Sequence, residues 1–214
     1  MKYMFVSDIH GNLENLEKCV EVFNEIKADK LIILGDTAGG YYDDNNQALA
    51  DILNNLGKKV EVIRGNCDTQ EFEDLLDFEL FDDDMLFLQR KAATNSENTS
   101  SNTEKNSITF MGKWLREDFD EVPKDDKYIR VSITHGHKYS YENTLPPNCG
   151  EIFIQGHTHR LLLVRSGNRI FANPGSVTKP RGTDLKCYIL LDEESIKLLT
   201  LDGKLINEIF LNSI

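Results

Sequence analysis

The sequence predicts an α/β fold that opens with a parallel sheet, and three observations predict it. Short apolar runs alternate with helix-period segments over residues 1–63. Those helical segments are long enough to serve as crossovers between parallel strands. The second half then reads as short apolar strands separated by turn signals.

Residues 2–7 form a first strand candidate. From Asn12 onward, Leu13, Leu16, Val20, Phe23 and Ile26 recur at helical spacing and predict an amphipathic helix. Residues 30–34 are a β-branched and leucine run, a second strand. Ala48, Leu49, Ile52, Leu53 and Leu56 predict a second helix that Gly57 would end. Residues 60–63 give the third strand. The middle offers strand candidates at 85–90 and 107–111. Between them residues 92–106 are rich in Ser, Thr, Asn and Glu and read as a polar loop or insertion; residues 117–127 are again polar and acidic. Strand character returns at 128–134 and 152–155. Segments 161–165 and 168–172 flank Ser166-Gly167, a hairpin-turn candidate. Residues 186–191, 196–201 and 205–211 end the chain as strands, with turns at Asp192-Glu193 and Asp202-Gly203. No repeat or linker divides the chain, so a single domain over 1–214 is expected.

Composition narrows the partners. With 24 basic and 36 acidic side chains the net charge is −12, a field that repels long nucleic acid and anionic membrane surfaces. A single phosphate group is not excluded, because bound cations overrule net charge locally. No apolar run reaches the roughly 20 residues of a membrane span, and the N-terminus lacks the apolar stretch of a signal peptide. A cytoplasmic location is expected. Cys19, Cys67, Cys149 and Cys187 are scattered without paired spacing, which argues against a disulfide framework or a cysteine-only zinc site.

The chemistry sits directly after the strands. Ser7-Asp8-Ile9-His10-Gly11 follows the first, Gly35-Asp36 the second, and Arg64-Gly65-Asn66-Cys67-Asp68 the third. His135-Gly136-His137 and Gly156-His157-Thr158-His159 follow two later strands. Ligands of open α/β sheets gather at the carboxyl ends of strands, so these segments are expected to meet at one edge. An isolated Asp or His there is ordinarily a turn former, yet all 5 histidines of the chain fall in these segments. In an extended segment residues i and i+2 face one way, so Asp8 with His10, and His157 with His159, would each present a pair. Carboxylate, imidazole and amide oxygen together suit manganese, iron or zinc. Seven such ligands exceed the needs of one ion; with Asp36 shared, they serve the two ions of a binuclear hydrolase.

These motifs, in this order, resemble the calcineurin-like metallophosphoesterases. Gly65-Asn66-Cys67-Asp68 and Asn173-Pro174-Gly175-Ser176-Val177 further resemble the small prokaryotic phosphodiesterases of the YfcE type. The resemblance runs to about Arg181 and is weak across 77–127. It implies a four-layer αββα sandwich with mixed sheets and two divalent ions, with manganese the usual activator and iron, zinc or nickel as alternatives. It implies one ion held by Asp8, His10, Asp36 and His159, and a second by Asp36, Asn66, His135 and His157.

The activity implied is hydrolysis of a small phosphodiester by in-line attack of a metal-bridging hydroxide. A phosphomonoesterase or phosphoprotein phosphatase with the same site is the alternative, and a non-catalytic protein-binding scaffold of the same fold a second. Beside Asp36, two residues are candidates for catalysis. His137 would contact substrate or donate a proton, or else brace His135. Cys67 stands where many members of the wider family carry a leaving-group histidine, and would either act there or pack beside the site. Arg181 would pair with substrate phosphate or serve the surface, and exposed late strands would support a homo-oligomer.

Overall fold

The structure is a computed structural model that describes residues 1–40, 44–82, 84–90, 128–146 and 149–213, with backbone only at 84–90 and 213. The expected strand at 107–111 and the polar stretches at 92–106 and 117–127 lie outside the described residues.

The chain begins with β1 (Tyr3–Val6), α1 (Leu13–Glu25), β2 (Lys30–Ile33), α2 (Asn46–Leu56) and β3 (Val60–Val62). Asn12 caps α1, its side chain accepting the Asn15 N–H at 2.9 Å. Gly57 ends α2 with φ of 54°, a conformation favourable to glycine. A short α3 (Gln70–Glu73), absent from the pattern because four residues carry no periodicity, is capped by Thr69. There follow β4 (Asp84–Arg90), β5 (Tyr128–Thr134), β6 (Ile152–Gln155), β7 (Leu161–Ser166), β8 (Arg169–Pro174), β9 (Cys187–Leu191), β10 (Ser195–Thr200) and β11 (Leu205–Phe210). The β7–β8 register pairs Ser166 with Arg169, so the hairpin turn is Gly167-Asn168. That is one residue beyond the expected Ser166-Gly167, and Gly167 takes the φ of 60° that the turn demands.

Two mixed sheets result. The first runs β11-β10-β9-β1-β2-β3, parallel across β1, β2 and β3, with β9 returning antiparallel to β1. The second runs β4-β5-β6-β8-β7, parallel across β5, β6 and β8. Alternation along each strand sorts the side chains into layers. Tyr3, Phe5, Ile32 and Leu34 face Val131, Ile133, Ile152, Ile154, Ile170 and Ala172 between the sheets. Met4, Val6, Leu31, Ile33 and Val62 face the other way, onto Leu16, Phe23, Leu49 and Leu53 of the helices. On the outer side of the second sheet, Phe153 and Phe171 cluster with Cys149. The ligand-type side chains lie just past the strand ends, and the parallel strands of both sheets end at one edge.

Candidate metal centre

The turns after β1 and β2 zip together: Asp8 N–H donates to Gly35 O at 3.1 Å, His10 N–H to Asp36 O at 2.8 Å, and Gly11 N–H to Thr37 O at 3.0 Å. Ile9, wholly buried between them, anchors the first turn in the helix-side core. The turn after β5 joins through His135, whose Nδ1 bonds Leu34 O at 2.7 Å. The turn after β6 joins through His157, whose N–H donates to Asp8 Oδ2 at 3.0 Å.

Asp8, His10, Asp36, His157 and His159 all adopt left-handed backbone, with φ between 48° and 64°. Their side chains therefore converge through curled turns, and the extended i, i+2 arrangement expected for Asp8/His10 and His157/His159 is not what brings them together. A left-handed non-glycine residue costs about 1–3 kcal/mol, and such strain gathers where a site requires it. Consistent with the curl, His157 and His159 point into different groups: Asp8, His10 and His159 form one set of potential ligands, and Asp36, His135 and His157 another, each with ligand atoms within 4.8 Å of one another. Asp36 joins the sets. Its Oδ2 is 3.8 Å from His10 Nε2, and its Oδ1 is 3.4 Å from His135 Nε2. Asn66 completes the second set, with Oδ1 3.2 Å from His135 Nε2. His137 belongs to neither; its ring centroid lies 5.4 Å from that of His135 and 6.3 Å from that of His157.

The donor set fits a cation. A carbonyl only accepts, so His135 Nδ1 facing Leu34 O and His159 Nδ1 facing Lys179 O at 2.8 Å must each carry hydrogen. In the neutral rings this leaves both Nε2 atoms as lone-pair donors aimed at the centre. His10 Nε2 approaches His159 Nε2 to 3.2 Å, and Asp8 Oδ1, fully buried, has no hydrogen-bond partner although His159 Nε2 is 3.2 Å away. With His159 neutral, its Nε2 lone pair faces the Asp8 oxygen, and that pair calls for positive charge between them. The proton affinities report the same field. Burial opposes a charged His135, but the Asp36 carboxylate beside it raises its pKa above the usual value, and Asp8 raises that of His159. Burial also opposes the Asp36 charge, yet His135 and the Cys67 N–H (2.8 Å) hold its pKa well below the carboxylate range. His10 and His157 are lowered, by burial first. The Cys67 thiol is pushed up to about 12 by burial and by the carboxylates of Asp36, Asp68 and Asp8.

Two supports complete the cradle. Asp68, which the pattern left without a role, accepts four backbone N–H groups: Asp36 (2.9 Å) and Gly65 (2.8 Å) on Oδ2, Thr37 (2.7 Å) and Ala38 (2.9 Å) on Oδ1. The segment at 173–178 straps the turns after β1 and β6. Ser176 Oγ donates to Asp8 O at 2.7 Å and Thr178 Oγ1 to Ile9 O at 2.8 Å, while Asn173 Nδ2 donates to Gly156 O at 2.8 Å. Close approach explains Gly65: a Cβ there would lie 2.2 Å from both Asp36 N and Asp36 Oδ1. Gly65→Ala is accordingly expected to lower metal affinity by about 10–100-fold, the scale of disturbing a ligand's support, as read by isothermal titration with Mn2+; unchanged affinity would show that Asp36 need not sit where it does.

Residues 1–195 match the calcineurin-like phosphoesterase superfamily domain. Over 99% of both chains the protein is 28% identical to phosphodiesterase YfcE of Escherichia coli. It is 24% identical to phosphodiesterase MJ0936 of Methanocaldococcus jannaschii over 82% of this chain and 83% of that one. Among solved structures, the E. coli YfcE phosphoesterase superposes with a TM-score of 0.70 at 27% identity, over 98% of each chain. Vps29 of Entamoeba histolytica, at 19% identity and a TM-score of 0.53 over 98% of this chain and 99% of that one, shares the fold.

Proposed function

The chain belongs to the calcineurin-like phosphoesterase superfamily and is a metal-dependent phosphoesterase; from that premise we propose that it hydrolyses a small phosphodiester at a binuclear centre, by in-line displacement. One observation carries the binuclear reading: Asp36 turns one oxygen toward His10 and the other toward His135, the posture of a carboxylate shared by two cations. One cation would be held by Asp8, His10, Asp36 and His159, the other by Asp36, Asn66, His135 and His157. Manganese suits this mixed oxygen and nitrogen set, as do iron, zinc and nickel. Such ions supply Lewis acidity toward phosphate oxygens and acidify a water molecule.

The protein's own groups do the positioning. Leu34 O and Lys179 O fix the tautomers of His135 and His159, so that Nε2 of each is left to face the cation it would hold. His137, packed beside the rings of His135 and His157, is best read as holding them in place, the bracing role among the two open to it. Arg181, exposed, donates its backbone N–H to His159 O at 2.8 Å, and from beside the site its guanidinium would meet an anionic substituent of the substrate.

The names of the YfcE and MJ0936 relatives support diesterase over monoesterase activity. The test is a comparison of bis(p-nitrophenyl) phosphate with p-nitrophenyl phosphate, with Mn2+ added. The diester is expected to be turned over with the higher kcat/KM. The opposite order would make the protein a monoesterase, and a chain that binds Mn2+ yet hydrolyses neither would point to the scaffold.

A further inference from the structure

A third group of potential ligands crosses the boundary between the two sets. His10, Asp36 and Cys67 bring a ring nitrogen, a carboxylate oxygen and a thiol sulfur within 4.8 Å of one another. We propose that the centre has a sulfur-bearing coordination mode, in which His10, Asp36 and Cys67 together hold a thiophilic divalent cation such as Zn2+ or Cd2+.

The inference rests on the reading that this site binds divalent cations, and it assigns Cys67 a part that neither ligand set above contains. Cys67 differs from the other three cysteines in its surroundings. Cys19, Cys149 and Cys187 are buried in apolar clusters. Cys67 is half-buried, at the polar edge of the site. Two contacts fix it there: its N–H donates to Asp36 Oδ1 at 2.8 Å, and Asn66 Nδ2 donates to its Sγ at 3.4 Å.

Ligand softness decides which metal takes which mode. Mn2+ is hard and is satisfied by oxygen and nitrogen, whereas Zn2+ and Cd2+ gain from sulfur. When the metal–sulfur bond forms, the thiol proton leaves to solvent, so uptake of a thiophilic cation releases one proton that Mn2+ uptake does not. The sulfur mode would also draw His10 and Asp36 away from the oxygen–nitrogen sets. Cys67 is then a metal-selectivity residue, separating cations that the other ligands alone would rank more evenly.

The test uses Co2+, an optical substitute for Zn2+, on the full-length chain. The wild-type protein is expected to show a near-ultraviolet sulfur-to-cobalt charge-transfer band together with visible ligand-field bands. Cys67→Ser is expected to lose the former and keep the latter. In a parallel titration the same substitution is expected to weaken Cd2+ binding relative to Mn2+ by about tenfold or more, the scale of altering a metal site's surroundings. Cys67→Ala serves as a second variant if the serine disturbs folding. Visible bands without the charge-transfer band in the wild type would overturn the inference and leave the metal centre standing, and so would a charge-transfer band that survives in Cys67→Ser. A folded wild-type chain with neither kind of band would remove the metal centre itself.

Discussion

Asp36→Asn is expected to reduce phosphodiester turnover by more than about 100-fold, the upper range for a residue that only supports a ligand, and to lower the bound metal. The substitution keeps size and one oxygen. An amide oxygen in place of Oδ1 would still accept the Cys67 N–H, so the turn has reason to persist. What disappears is the charge and the second oxygen, the one facing His10. Burial opposes a charged His135 and the Asp36 carboxylate raises its pKa against that; the neutral variant removes this upward pull. Metal analysis of the purified variant, beside the diester assay, reads both consequences. A fully active variant with undiminished metal would refute the shared-carboxylate assignment.

Asp68→Asn comes next in expected size, and its first effect is on stability. The four N–H groups that converge on Asp68 are all donors, so both oxygens must accept and the group is ionised at neutral pH. Burial pushes its pKa up, and the N–H bonds work against that. An asparagine would turn its NH2 toward two of the donors. Each donor left unsatisfied costs about 1–3 kcal/mol, giving a loss of roughly 2–6 kcal/mol. At about 2–4 °C per kcal/mol for a chain of this size, the midpoint of thermal unfolding would fall by about 4 °C or more. Because two of the donors are Asp36 N and Thr37 N, metal content is expected to fall with it. An unchanged midpoint would show that the Asp68 cradle carries no such weight.

The two substitutions differ in how far sequence alone points to them. Asp36 stands in the open at the end of a strand-like run, as do Asp8, His135 and His157. The rule that strand ends deliver polar groups to one edge is enough to gather them. Asp68 belongs to the same motif as Asn66, but three of its four partners are backbone N–H groups on another turn, and no residue type marks a backbone donor. The strap formed by Ser176 and Thr178 is hidden for the same reason, since it acts on the carbonyls of Asp8 and Ile9.

The manner of convergence was also less legible than the fact of it. Alternation in an extended strand predicts that His157 and His159 face together. The left-handed curl sends them to different sets, and left-handed φ at Asp or His leaves no trace in hydrophobic periodicity. In the fold, β1, β2 and β3 could be read as parallel because helices separate them. The parallel β5, β6 and β8 could not, because a loop and the antiparallel β7 make their crossovers and no helical period announces them.

The central proposal is that the edge shared by the two sheets holds a pair of cations. Crystals soaked in Mn2+ and measured at the manganese absorption edge answer that directly. Two anomalous peaks are predicted, one among Asp8, His10, Asp36 and His159 and the other among Asp36, Asn66, His135 and His157. A map with no peak between these side chains in a fully soaked crystal would contradict it.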